Sequence, residues 1–163
     1  METREIVVGL ESSAASAAAL RWAADEAVRR GSSLRVVHSW QLPSGDELAA
    51  GAAYREVTAA DARARATRWL GEALGAPGTR AGWVLDIVEG PPGPVLVERA
   101  RDAAMLVVGT GDHVGLRRVV EGSVSHYCLS HATCPVVAVP APVDVRAKGS
   151  KRREAVSTPG PLL

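Results

Sequence analysis

Five short runs rich in β-branched and aliphatic residues recur along the chain, at residues 6–10 (IVVGL), 34–40 (LRVVHSW), 83–88 (WVLDIV), 105–108 (MLVV) and 135–139 (PVVAV). The stretches between them carry helical spacing. That alternation narrows the fold more than any other feature, because it is the pattern of parallel strands joined by helical crossovers. In the first run the apolar residues are nearly continuous, as expected of a strand covered on both faces. Leu20, Ala23, Ala24, Ala27 and Val28 then recur at i, i+3, i+4, i+7 and i+8, which predicts a helix over about 14–30 with one apolar face. Gly31 stands where a helix-ending glycine belongs. A long alanine-rich helix is expected over about 46–74. The prolines at 91, 92 and 94 are read as confining the next helix to 94–103, and a last one is expected over 123–130.

The expected architecture is α/β: an open, doubly wound, Rossmann-like sheet of five parallel strands in the order 3-2-1-4-5, with helices on both faces. At 163 residues and 47% hydrophobic content, the chain has material for one core and needs no second domain. That domain is assigned to residues 1–140. Beyond it the composition turns polar and basic, with proline and glycine, so residues 141–163 read as a disordered tail carrying Lys151, Arg152 and Arg153. The net charge of +1 gives no global field to recruit nucleic acid or an acidic membrane, and no run is long enough to span one. The opening METREIVVGL lacks a basic segment followed by a long apolar one, so a cytoplasmic location is expected. Two cysteines, Cys128 and Cys134, are too few for a disulfide framework and read as reduced, small, near-core residues. Trp22, Trp40, Trp69 and Trp83 read as packing residues, with Trp40 also placed to edge a ligand pocket.

In an open sheet of this kind ligands lie outside the carboxyl ends of the strands, where the strand order reverses. The first and fourth strands would flank that point. Gly9, Leu10, Glu11, Ser12 and Ser13 follow the first strand, His38, Ser39 and Trp40 end the second, and Gly109 opens a loop after the fourth. The stretch VVGTGDHVGLRRVVEGSVS leads from strand through glycine-spaced loop to a helix start at Gly122 and Ser123. Unpartnered backbone N–H groups and the positive end of the helix dipole make such a start an anion site, and glycine lets the chain approach closely.

These segments resemble the universal stress protein family. IVVGLESS is similar to its first strand and acidic turn, LRWAADEA to its first helix, VVHSW to its second strand, and HATCPVVAVP to its closing helix and strand. Nucleotide-binding members carry G-x2-G-x9-G-[S/T] after the fourth strand, a spacing matched here by Gly109, Gly122 and Ser123. The resemblance implies ATP or AMP as ligand, with Glu11 toward the sugar and Ser39 toward adenine. It places Gly109, Thr110, Gly111 and Gly115 along the loop, with Ser123, Val124 and Ser125 at the phosphates. It also implies a homodimer formed by the edge strand between Pro135 and Val139.

Three positions depart from the family pattern. Glu11 and Ser12 stand where binders usually have Asp and Gly, which moves the carboxylate out by one methylene. Asp112 replaces the second glycine. A carboxylate about 4 Å from a phosphate oxygen is repelled by about 4 kcal/mol at an effective dielectric of about 20, roughly a thousandfold in affinity. Either Asp112 points to solvent, or Mg²⁺ bridges it to the phosphates, or it closes the site with its own charge.

Catalytic patterns are missing from the sequence: no G-x-S-x-G elbow, no G-x4-G-K-[S/T] loop, and GLESSA where a dinucleotide dehydrogenase needs G-x-G-x-x-G. His126 and Cys128 diverge by about 200° on a helix, so with His131 and Cys134 they do not converge on one metal. The sequence therefore reads as a dimeric adenine-nucleotide-binding stress-response module and not an enzyme. The alternative is a nucleotide-free dimeric interaction protein of the same fold, with Asp112 filling the anion site. Neither reading identifies the protein partner.

Overall fold

The computed structural model describes residues 5–42, 51–75, 82–110 and 124–142. Along these the elements are β1 (Ile6–Gly9), α1 (Ala14–Arg30), β2 (Leu34–Trp40), α2 (Ala52–Leu74), β3 (Trp83–Glu89), α3 (Pro92–Arg99), β4 (Met105–Thr110), α4 (Val124–His131) and β5 (Val136–Pro140). The strands form one sheet in the order β3-β2-β1-β4-β5, and every pair is parallel. This is the doubly wound α/β architecture the alternation predicts. The assignment of residues 141–163 to a tail falls almost wholly outside the described residues.

Both sheet faces are buried along the central strands, and the two-residue alternation sorts their side chains. Ile6, Val8, Leu34, Val36, Met105 and Val107 point to the face under α1 and α2, with Leu20 and Leu70 supplied by the helices. Val7, Val37, Leu106 and Val108 point to the other face, where Leu96 of α3 and Cys128 of α4 meet them. A third small cluster joins Trp40, Leu42 and Ala62. Trp22, Trp69 and Trp83 pack partly buried against the first cluster.

α1 covers residues 14–30 as the spacing predicts. Ser13 caps its start in an extended conformation, and Gly31 ends it with φ 64, ψ 29, a left-handed backbone that glycine adopts without Cβ strain. Its buried stripe is alanine at every fourth position, Ala15, Ala19, Ala23 and Ala27, so the helix axis can come close to the strands.

Three boundaries differ from expectation for physical reasons. α2 starts at Ala52, after an extended Gly51 cap, and not near 46; the segment 43–50 lies outside the described residues. Gly51 has φ −68 and ψ 164, an extended backbone that caps the helix instead of continuing it. α3 starts at Pro92 and not at 94, and it ends at Arg99. Its first helical hydrogen bond runs from Val95 N–H to the Pro91 carbonyl at 3.1 Å, so the prolines occupy first-turn positions whose amides have no helical partner. β4 continues through Gly109 and Thr110, which pair with Val139 and Pro140, so Gly109 is a strand residue and not the opening of a loop. Smaller shifts place the end of β1 at Gly9 and β5 at Val136–Pro140.

Candidate functional site

The turn from β1 into α1 is held by a dense set of hydrogen bonds. Leu10 N–H donates to the Val37 carbonyl at 2.8 Å, extending the β1–β2 ladder one residue past the strand. The Leu10 carbonyl accepts from His38 Nδ1 at 2.9 Å. Glu11 N–H donates to Ser16 Oγ at 2.8 Å, and that hydroxyl lies 3.4 Å from the Gly9 carbonyl to which it donates. Ser13 Oγ accepts from Ser16 N–H at 3.0 Å and donates to the Glu11 carboxylate at 2.9 Å. Glu11 and Ser12 are exposed, while Leu10 is buried. A solvent-facing carboxylate is thus oriented at the carboxyl edge of the sheet.

Ser39 lies on β2 beside Val88 of β3 and is half-buried. Its neighbours His38 and Trp40 are each 8% exposed, and strand alternation puts them on the face opposite Ser39. Trp40 packs against Leu42 and Ala62, with Ala59 and Ile87 alongside, in the third cluster. His38 meets the ring of Trp69 from α2 edge to face, with centroids 5.2 Å apart at 84°.

At the end of β4 an alanine in place of Gly109 would bring its Cβ to 2.7 Å from the carbonyl carbon of Ala15 and the nitrogen of Ser16. The glycine lets the strand end press against the backbone of the first turn of α1. Gly9 is tight on the other face, where a Cβ would reach 3.0 Å from Leu96 Cδ1.

The structure thus brings Gly9, Leu10, Glu11, Ser12, Ser13, Ser39, Gly109 and Thr110 to one edge of the sheet. Val124 and Ser125 open α4, which links β4 to the parallel β5 and so begins at that same edge. Gly111, Asp112, Gly115, Gly122 and Ser123 lie outside the described residues. The helix dipole at α1 is already matched: Ser13 accepts the Ser16 amide on its side chain and the Ala17 amide, at 3.1 Å, on its carbonyl. Those two amides are thus satisfied within the turn itself.

Two residues of this region escape a sequence reading. Ser16 is 2% exposed in a helix face otherwise made of alanine and Leu20, and that lone hydroxyl is the signal. His38 is a buried polar residue in an aliphatic strand, a pattern that marks a specific hydrogen bond.

Of the remaining charge features, the Arg55–Glu89 pair lies at the carboxyl end of β3, and the others lie away from it. Near the amino end of the sheet Arg35 binds Glu5 at 2.7 Å and Asp86 at 3.4 Å, and Arg99 shares Asp86 at 2.8 Å. The Glu5 hydrogen bond holds the Arg35 guanidinium above its usual range. Burial pushes the Cys128 thiol up to about 11, with the nearby Cys134 adding to the shift, and burial raises Cys134 as well. Both are free thiols and poor nucleophiles at neutral pH. Among the described residues no three His, Cys, Asp or Glu side chains gather to hold a metal ion, and no helix is long and apolar enough to cross a membrane.

Comparison with known proteins gives a consistent result. Residues 2–140 match the universal stress protein family. A universal stress protein of Mycobacterium tuberculosis is 35% identical over 146 residues, covering 86% of this chain and 50% of the relative. The chain spans about half the length of the curated relatives it matches. A universal stress protein structure from Archaeoglobus fulgidus in complex with dAMP is 29% identical, with TM-score 0.52 over 85% of this chain and 99% of that one. Another, in complex with cAMP, is 22% identical with TM-score 0.58 over 87% of this chain and 100% of that one, a likeness of fold.

Proposed function

This chain belongs to the universal stress protein family, and we propose that it binds an adenine nucleotide, AMP or ATP, at the carboxyl edge of β1, β2 and β4 without turning it over. The observation that carries this reading is that the turn orienting the Glu11 carboxylate and the end of β4 both lie against the first turn of α1. The dAMP bound by the Archaeoglobus relative supports an adenine nucleotide as the ligand class.

In this assignment Glu11 accepts hydrogen bonds from ribose hydroxyls and Ser39 lies on the adenine side. Gly109, Thr110, Gly111, Asp112 and Gly115 border the phosphates, and Gly122, Ser123, Val124 and Ser125 supply the helix-start amides. With ATP, Asp112 would hold a Mg²⁺ ion, whose charge would offset that of the carboxylate near the phosphates. The module acts in the cytoplasm as a stress-responsive homodimer through β5, whose edge position and half-buried Val136, Val137 and Val139 leave a strand free to pair. Residues 141–163 form a basic tail outside this domain.

Asp112 favours a second reading, in which its charge closes the anion site and the dimer works through protein contacts alone. Calorimetric titration with AMP and ATP, with and without Mg²⁺, beside Asp112→Gly, separates the two. The first reading expects ATP binding that requires Mg²⁺ in the wild type and loses that requirement in the variant. Silence in the wild type with binding in the variant supports the second, and silence in both overturns nucleotide binding.

A further inference from the structure

We propose that His38 is a positioning residue for the nucleotide, holding the Leu10–Glu11 peptide so that the Glu11 carboxylate faces the ribose; this rests on the nucleotide reading above. A carbonyl oxygen only accepts, so the 2.9 Å contact between His38 Nδ1 and the Leu10 carbonyl assigns the hydrogen to Nδ1. The same Leu10 residue gives its N–H to Val37 at 2.8 Å, so the backbone on both sides of Leu10 is tied to β2. The other restraints on the turn, from Ser13 and Ser16, come from α1 itself. His38 is therefore the side chain that ties the turn to β2, whereas the Ser16 hydroxyl ties it to Gly9 of β1.

The ring is itself held in place. It is 8% exposed and sits edge to face with Trp69, which α2 packs against the first core cluster. The linkage runs from α2 through Trp69 and His38 to Leu10, and ends on the exposed carboxylate one residue further along. His38 itself stays beneath the turn.

The test is a double-mutant cycle on AMP affinity, measured well below the melting temperature, using full-length wild type, His38→Leu, His38→Asn, Glu11→Ala and the His38→Leu/Glu11→Ala pair. Loss of one hydrogen bond at the turn is expected to weaken AMP binding about tenfold in His38→Leu. His38→Asn places an amide N–H near the Nδ1 position and restores binding to within about threefold. Once Glu11 is alanine, adding His38→Leu changes affinity less than about twofold, because the histidine acts through that carboxylate. Amide exchange at Glu11 and Ser12 rises in His38→Leu and returns in His38→Asn. Equal losses with and without Glu11, or unchanged affinity in His38→Leu, overturn the inference alone. Absence of AMP binding in the wild type overturns the nucleotide reading and this inference with it.

Discussion

β1 ends in Gly9 and β4 carries Gly109 one residue before its end, and the two glycines are needed for different reasons. Gly9 closes β1 against the tip of a leucine from α3, whereas Gly109 lies in β4 against the main chain of α1. A leucine terminus can turn aside by a few tenths of an ångström, but the Ala15–Ser16 peptide is fixed by the cap at Ser13 and by the sheet beneath it. Glycine at the end of a strand is thus no single signal. On one face it spares a side chain, and on the other it sets how closely a helix start can approach the site.

The largest expected effect is for Gly109→Ala. With Cβ 2.7 Å from two backbone atoms, overpacking should cost about 3 kcal/mol and lower the melting temperature by about 10 °C, read by thermal and urea unfolding. Trimming the neighbour with Ala15→Gly should not rescue it, because the obstacle is backbone; rescue would break the comparison. Ser13→Ala should cost about 1 kcal/mol through the lost cap. It should cost less in the Gly109→Ala background, since an uncapped first turn can yield to the new methyl.

Gly9→Ala should be milder, at or below about 1 kcal/mol, and its penalty should vanish in Leu96→Ala, where the opposing methyls are gone. Equal penalties for the two glycines would erase the distinction. The smallest effect concerns Cys128, which lies in the same cluster as Leu96. Iodoacetamide at pH 8 should label Cys134 first, with Cys128 protected by burial and a thiol pushed up to about 11. The sign follows from the unfolded thiol, which ionises near about 8.5. The folded state binds the proton more tightly, so the stabilising contribution is full below that pH and is lost as pH rises toward about 11. Cys128→Ser should flatten that alkaline decline in urea titrations.

Where the determining contacts are local, the sequence is a good guide to the structure. Ser13, the alanine stripe and Gly31 lie within or beside α1, and its limits are read correctly; so are those of β2. α3 starts two residues before the expected Pro94 because Pro92 as well as Pro94 fits a first-turn position that needs no amide. Gly109 looked like a loop residue because the backbone it accommodates belongs to α1, far away in sequence. At the site, Glu11 and Ser13 were recognisable from their place after an apolar run. Ser16 and His38 were not assigned roles, because their partners appear only when α1 and β2 come together.

The register of the central ladder also governs how the molecule is made. Ile6 pairs with Met105 and Val8 with Val107, so two strands from opposite ends of the domain lie side by side. During synthesis β1 can meet β2 early, but its other edge waits until nearly the whole domain has left the ribosome. The edge where β1 and β4 end side by side is then among the last features to exist. A nucleotide bound there is expected to slow unfolding and leave the folding rate unchanged: it guards a finished domain and does not help to assemble it.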